Sequence, residues 1–187
     1  VDMFVLNQNG ASRFYDNRRQ GYFVDITTTV GLNFVGEPST VVSGDYNNDG
    51  YLDLFISDLA GEQHGIFQNK GDGTFIKDEA SLSAIDGLTG FVINQADLAD
   101  VDNDGYLDLL VAGNPARKDK YRSGLLLLHN DGQGKYTDTS NSLPSELEII
   151  EQVKTADMDG DGDLDIIIIN DQGNVRIMRN DGGNLNN

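Results

Sequence analysis

DYNNDGYLD (residues 45–53), DVDNDGYLD (100–108) and DMDGDGDLD (157–165) superimpose without a gap, and their starts lie 55 and 57 residues apart. A second landmark follows each: QNKGDGTF (68–75), HNDGQGKY (129–136) and the degenerate RNDGGNL (179–185). Two landmarks recurring in fixed order at this period mark a propeller or solenoid, in which no unit can bury its hydrophobic face alone.

The stretches between the landmarks read as short strands. After each aspartate loop comes a continuous apolar run, LDLFIS (52–57), LDLLVAG (107–113) and LDIIIIN (164–170), rich in branched residues and too short for a helix. A run without alternation is buried on both faces, as in a sheet stacked between two others. GIFQN (65–69), LLLLHN (125–130) and NVRIMRN (174–180) follow, each ending in an Asn, Asp and Gly turn that leads to a further strand at Phe75 or Tyr136. The extended stretch ahead of each loop ends in a small residue, Gly44, Ala99 or Ala156, which suits a crowded innermost strand. Each repeat is therefore four antiparallel strands in the order A, aspartate loop, B, C, turn, D. The expected fold is all-β, made of β-propeller blades. Its units are a partial blade at 1–32 holding strands C and D, blades at 33–78 and 88–138, and a partial blade at 145–187. Thirteen strands make about three and a quarter blades, too few to close a ring of the usual four to eight. The chain is expected to belong to a larger ring, as part of a longer polypeptide or with another chain.

The aspartate loops carry the chemistry. A hard cation takes about six to eight oxygens, and a tight turn supplies them when carboxylates alternate along it. Positions 1, 3 and 5 point inward, position 7 gives its carbonyl and position 9 closes the site. These are Asp45, Asn47, Asp49, the Tyr51 carbonyl and Asp53 in the first loop, and Asp100, Asp102, Asp104, the Tyr106 carbonyl and Asp108 in the second. The third uses Asp157, Asp159, Asp161, the Asp163 carbonyl and Asp165. Two carboxylates about 4 Å apart repel by about 4 kcal/mol at an effective dielectric near 20. Solvated Asp-Gly turns are the plain alternative, and the threefold recurrence of alternation with glycine at position 6 argues against it. Three Ca2+ sites are expected, calcium being favoured over magnesium because a flexible all-protein oxygen cage suits the larger ion. Asn47 leaves the first site one charge poorer, so it is expected to be the weakest. Position 12 is Ile56, Val111 or Ile168 inside an apolar strand, so these loops lack the glutamate that closes an EF-hand.

The D-x-[DN]-x-D-G-x-L-D loop and the N-x-G-x-G-x-[FY] turn together resemble the calcium blades of integrin α-subunit propellers and, more closely, FG-GAP-like or VCBS repeat proteins. The resemblance covers nearly the whole chain, although FVGEP (34–38) is the nearest approach to a literal FG-GAP string. It implies a propeller, often of seven blades, that is secreted or on the cell surface, and it leaves the ligand undefined.

Composition narrows the partners. With 31 acidic against 13 basic residues and a net charge of -18, a nucleic-acid backbone is excluded as a partner. No apolar run is long enough to span a membrane as a helix, and without cysteine there is neither a disulfide framework nor a thiolate metal site. The chain opens on Val1 without a signal-peptide pattern, so any secretory leader is expected to have been removed or to lie outside it. His64 and His129 occupy non-equivalent repeat positions with no nucleophile motif beside them, and read as surface or packing residues. GQGKYT (132–137) is a repeat turn, since Tyr136 follows Lys135 where a phosphate loop needs serine or threonine. Seven basic residues fall in two segments: Arg13, Arg18 and Arg19 in an insertion at 8–20, and Arg117, Lys118, Lys120 and Arg122 around Tyr121. Charge balancing is one reading of them, and contact with a protein or glycan partner is the other. The expected function is a non-enzymatic calcium-binding module for extracellular, cell-surface or periplasmic adhesion or scaffolding. The alternative is a carbohydrate-binding or polysaccharide-cleaving calcium propeller.

Overall fold

The computed structural model describes residues 2–7, 11–32, 34, 36–59, 63–82, 88, 91–115, 123–144, 149–182 and 185–186. The apolar runs behind the aspartate loops form the second strand of each of three four-stranded antiparallel sheets. The first sheet is β4 (Pro38–Gly44), β5 (Asp53–Asp58), β6 (Gly65–Asn69) and β7 (Phe75–Asp78), in spatial order β4-β5-β6-β7. The second is β8 (Phe91–Ala99), β9 (Asp108–Pro115), β10 (Leu125–Asn130) and β11 (Tyr136–Asp138), and the third is β12 (Ile150–Ala156), β13 (Asp165–Asn170), β14 (Val175–Asn180) and β15 (Leu185–Asn186). These are propeller blades, each a meander of strands A to D.

All six residues of β5 are buried, because each face of the strand meets a different neighbour. Phe55 joins Ile66, Phe91, Ile93, Leu109 and Leu126 in the core between the first two complete blades. Leu54 and Ile56 turn the other way, toward Val30, Leu32 and Phe67. On β9 the same alternation sends Leu109 and Val111 backward and Leu110 and Ala112 forward, where they meet Val153, Ile166 and Ile168 of the last blade. Gly44, Ala99 and Ala156 end the inner strands, paired with Asp53, Asp108 and Asp165. Their small size has a steric cause at Gly44, where a Cβ would lie 2.7 Å from Leu107 Cδ1 of the next blade. Among the described residues no helix is long and apolar enough to cross a membrane.

The leading unit differs from the sequence expectation. It is a three-stranded sheet, β1 (Met3–Val5), β2 (Arg13–Asn17) and β3 (Phe23–Asp25), in order β1-β2-β3. RFYDN (13–17) of the expected insertion is therefore a strand, and the sheet holds strands B, C and D where C and D alone were expected. The last blade also gains β15, which brings the described strands to fifteen in place of thirteen. The cause is a disguised turn. NRRQGYF (17–23) aligns with NKGDGTF (69–75), but Arg19 stands at φ 72° where Gly71 stands at 74°. An arginine in the left-handed region, where glycine is usual, removed the motif's most visible residue.

Candidate metal centres

Each aspartate loop is a nest of side-chain-to-backbone hydrogen bonds that bends the chain around its carboxylates. Position 1 accepts from the amides of positions 5 and 6: Asp45 takes Asp49 N at 3.0 Å and Gly50 N at 2.8 Å, and Asp100 takes Asp104 N at 3.0 Å and Gly105 N at 2.9 Å. In the third loop Asp157 takes Gly160 N at 2.7 Å and Gly162 N at 3.1 Å. Position 5 accepts from the amide of position 7, at 3.0 Å for Asp49 and Tyr51, 2.9 Å for Asp104 and Tyr106 and 2.9 Å for Asp161 and Asp163. Two backbone reversals make this possible. Position 4 is left-handed at Asn48, Asn103 and Gly160, and position 6 at Gly50, Gly105 and Gly162.

Position 9 is the buried end of each cage. Asp53, Asp108 and Asp165 are no more than 2% exposed, and each accepts the backbone amide of the asparagine that ends strand C: Asn69 at 2.7 Å, Asn130 at 2.9 Å and Asn180 at 2.9 Å. The second oxygen of Asp108 accepts from Val101 N at 3.1 Å, and that of Asp165 from Met158 N at 3.0 Å. Oδ2 of Asp53 is buried, and the amide of Tyr46 acts on this carboxylate from the loop position that Val101 and Met158 hold. Burial first, then repulsion from Asp49 and Asp45, lifts the Asp53 carboxyl to about 6 against the pull of the Asn69 and Tyr46 amides. Asp108 is lifted to about 6, again chiefly by burial.

Carboxylate oxygens of Asp45, Asp49 and Asp53 lie within 4.8 Å of one another, as do those of Asp100, Asp102 and Asp108 and those of Asp157, Asp159 and Asp161. Converging carboxylates, with Asp53 and Asp108 buried at the closed end of two of the three sets, are the donor set a hard cation needs, so these residues fit calcium. Asn47 Oδ1 accepts the Asp49 amide at 3.1 Å and stays beside its loop. Asp163 is turned away from its cage: its carboxylate accepts Asn103 Nδ2 at 2.6 Å and Gly182 N at 2.6 Å.

One residue per cage escaped the sequence reading. The residue before the asparagine that ends strand C reaches into the acidic loop: Gln68 Nε2 to Asp49 at 3.3 Å, His129 Nδ1 to both Asp102 and Asp108 at 3.2 Å, and Arg179 to Asp159. The signal was present at the first residue of the second landmark, but glutamine, histidine and arginine share no obvious motif. His129 therefore faces a cage and is no bystander. His64 is a packing residue, its Nδ1 accepting the Asp58 amide at 2.9 Å and burial holding its pKa below the ordinary value. Of the basic candidates, Arg13 pairs with Asp25 at 2.8 Å and Arg18 with Asp16 at 2.7 Å, as charge balancing requires. Arg13 sits in β2, while Arg18 and Arg19 belong to the turn before β3. Arg117, Lys118, Lys120, Tyr121 and Arg122 lie outside the described residues.

A model of the FG-GAP-like repeat family matches residues 1–56 and 100–168 of the chain. No curated protein matches it significantly in sequence. Among solved structures, that of an Agrocybe aegerita lectin with specific recognition of non-reducing terminal N-acetylglucosamine is similar with a TM-score of 0.60 at 19% identity. The match covers 100% of this chain and 47% of the lectin chain, so the likeness is one of fold over about half of the lectin's length.

Proposed function

Because the chain belongs to the FG-GAP-like repeat family, we propose that it is a calcium-stabilised propeller segment serving as an extracellular binding or adhesion module rather than an enzyme. The observation that carries the calcium assignment is the convergence of three aspartates in each loop, their carboxylate oxygens within 4.8 Å of one another, with the buried Asp53 and Asp108 at the closed end of the first two sets. Asp45, Asn47, Asp49 and Asp53 would hold the first ion with the Tyr51 carbonyl. Asp100, Asp102, Asp104 and Asp108 would hold the second with the Tyr106 carbonyl, and Asp157, Asp159, Asp161 and Asp165 the third with the Asp163 carbonyl. Calcium, when bound, neutralises these carboxylates and ties strand A to strand B.

Carbohydrate is the ligand class supported by the recognition of N-acetylglucosamine in the similar lectin fold. The basic segment holding Arg117, Lys118, Lys120, Tyr121 and Arg122 is the stretch of sequence we assign to an acidic glycan or protein partner, since it concentrates positive charge and an aromatic ring on a chain of net charge -18. Calcium titration calorimetry and a glycan array test the two halves separately. Three ions per chain and calcium-dependent retention of particular glycans are expected. No calcium uptake at millimolar concentration overturns the metal assignment, and turnover of an acidic polysaccharide overturns the non-enzymatic one.

A further inference from the structure

The second residue of each aspartate loop is a junction between two cages. Its amide turns back onto the closing carboxylate of its own loop: Val101 N donates to Asp108 at 3.1 Å, Met158 N donates to Asp165 at 3.0 Å, and the Tyr46 amide acts on Asp53 from the same position. In the first two loops its carbonyl meets the blade that follows. Asn130 Nδ2 donates to Tyr46 O and Asn180 Nδ2 to Val101 O, both at 2.7 Å. The backbone amides of these same asparagines donate at 2.9 Å to Asp108 and Asp165, the closing carboxylates of the next cages.

One unbroken path of contacts therefore runs from Asp53 through Tyr46 and Asn130 to Asp108, and on through Val101 and Asn180 to Asp165. Every residue on it is buried, Asn130 and Asn180 completely, so water does not replace a lost partner. Asn130 is no cation ligand itself: its Nδ2 serves Tyr46 O and Leu107 O, and its Oδ1 accepts Gly132 N. It acts on the second cage through Asp108. A parallel contact crosses the exposed rim at each junction, from Asn48 Nδ2 to Gly105 O at 3.0 Å and from Asn103 Nδ2 to Asp163 Oδ1 at 2.6 Å.

We propose that Asn130 and Asn180 are positioning residues that make calcium uptake by the three cages cooperative, so that filling one loop presets the closing carboxylate of the next. An empty loop holds converging carboxylates that repel one another. A bound cation fixes the loop and with it the peptide groups of position 2. The position-2 carbonyl then holds the asparagine, and the asparagine amide holds the next aspartate. The next ion meets a loop that is already partly ordered, which raises its affinity without any new ligand. Linkage makes the effect reciprocal, so an ion in the second cage tightens the first by the same factor. Charge works in the opposite direction, because an ion in one cage removes negative potential that would draw an ion to its neighbour. That effect is screened over about 8 Å at physiological ionic strength, whereas buried hydrogen bonds are not.

The inference rests on the calcium reading, and a site-resolved titration separates the two. Calcium is added to the calcium-free chain at about 0.15 M KCl, while NMR follows the amides of Gly50, Gly105 and Gly162, at position 6 of the three loops. Asp49→Ala empties the first cage at a side chain outside the path. It is expected to raise the calcium midpoint at Gly105 about fivefold. In an Asn48→Gly/Asn130→Ala background, which removes both contacts at this junction, adding Asp49→Ala should move the Gly105 midpoint by less than about twofold. Glycine suits position 4, where Asn48 stands at φ 55° and Gly160 at φ 81°. Should Asn130→Ala fail to fold, the equivalent set at the next junction replaces it: Asp104→Ala, with and without Asn103→Gly/Asn180→Ala, read at Gly162. An unmoved Gly105 midpoint in the Asp49→Ala chain overturns the proposal by itself, and so does a fivefold shift that persists without the asparagine contacts. If no glycine amide responds to millimolar calcium, the calcium reading fails and the proposal with it. Calcium binding at three independent midpoints overturns the coupling alone.

Discussion

Asn130 Nδ2 donates to the carbonyl of Tyr46 at 2.7 Å, joining the third strand of one blade to the aspartate loop of the blade before it. The side chain is fully buried, and it also donates to Leu107 O at 3.1 Å and accepts Gly132 N at 3.1 Å. Asn130→Ala leaves the Tyr46 carbonyl and the Gly132 amide unanswered, while Leu107 O keeps the Tyr136 hydroxyl at 3.0 Å, so the expected loss is on the order of 2 kcal/mol, or about 6 °C in Tm. The half-buried Asn69, with a single carbonyl partner, should cost less than half as much on the same change. Equal losses in thermal melts would show that the bond between blades contributes nothing.

Removing calcium should loosen the whole array, since the loops touch one another. Asn48 donates to Gly105 O and Asn103 to Asp163, so three cages form one continuous rim. At a free calcium concentration a hundredfold above Kd, each site adds about 2.7 kcal/mol to stability. Melting in excess chelator is expected to shift Tm downward by well over 10 °C, and an unchanged midpoint would separate calcium from folding.

Asp108 and Asp163 test the register of the loops. Asp108 lies within 4.8 Å of Asp100 and Asp102 at the buried end of its cage, so Asp108→Ala should lose one whole calcium site by calorimetry. Asp163 spends its carboxylate on Asn103 and Gly182. Asp163→Ala should keep the calcium count while lowering stability by about 1 to 2 kcal/mol. Loss of a site in the Asp163 variant would place position 7 among the side-chain ligands.

Arg179 makes the third cage unlike the first. Its guanidinium pairs with Asp159, in the place where Gln68 contributes an uncharged amide. A calcium ion entering this loop competes with a resident cation, whereas the first loop lacks one carboxylate but carries no such competitor. Arg179→Gln is expected to tighten binding at the third loop about fivefold, corresponding to roughly 1 kcal/mol for a partly exposed pair. Weaker calcium binding in that variant would mean that Arg179 supports the loop rather than competing for it.

The sequence made the complete blades legible because their two landmarks are spaced by strands whose lengths barely vary. Gly65–Asn69 and Leu125–Asn130 emerged with the boundaries read from their apolar runs. The loops were equally open, since alternating carboxylates and glycines leave few other readings. What stayed hidden was chemistry without a fixed residue type. Gln68, His129 and Arg179 perform one spatial task with three side chains, and β2 was masked because its turn spends an arginine where glycine is usual. Met3–Val5 was legible as a strand but was placed third in its blade instead of second, because the strand that follows it was read as an insertion.

That arginine supports a last prediction about strain. Arg19 holds φ 72° and Gln20 φ 54°, while the equivalent turns place Gly71 and Gly132 at 74° and 72°. A side chain in the left-handed region costs about 1 to 2 kcal/mol, partly offset because glycine leaves the unfolded chain more freedom to lose. Arg19→Gly should therefore be neutral to stabilising by about 1 kcal/mol. Gly132→Ala should be costly, because its Cβ would meet both the left-handed backbone and the Tyr106 ring at 2.5 Å. The same turn thus accepts glycine freely and rejects a side chain wherever a tyrosine from the aspartate loop lies over it. Thermal melts of the two variants decide the matter. A destabilised Arg19→Gly protein would show that the arginine side chain itself holds the turn.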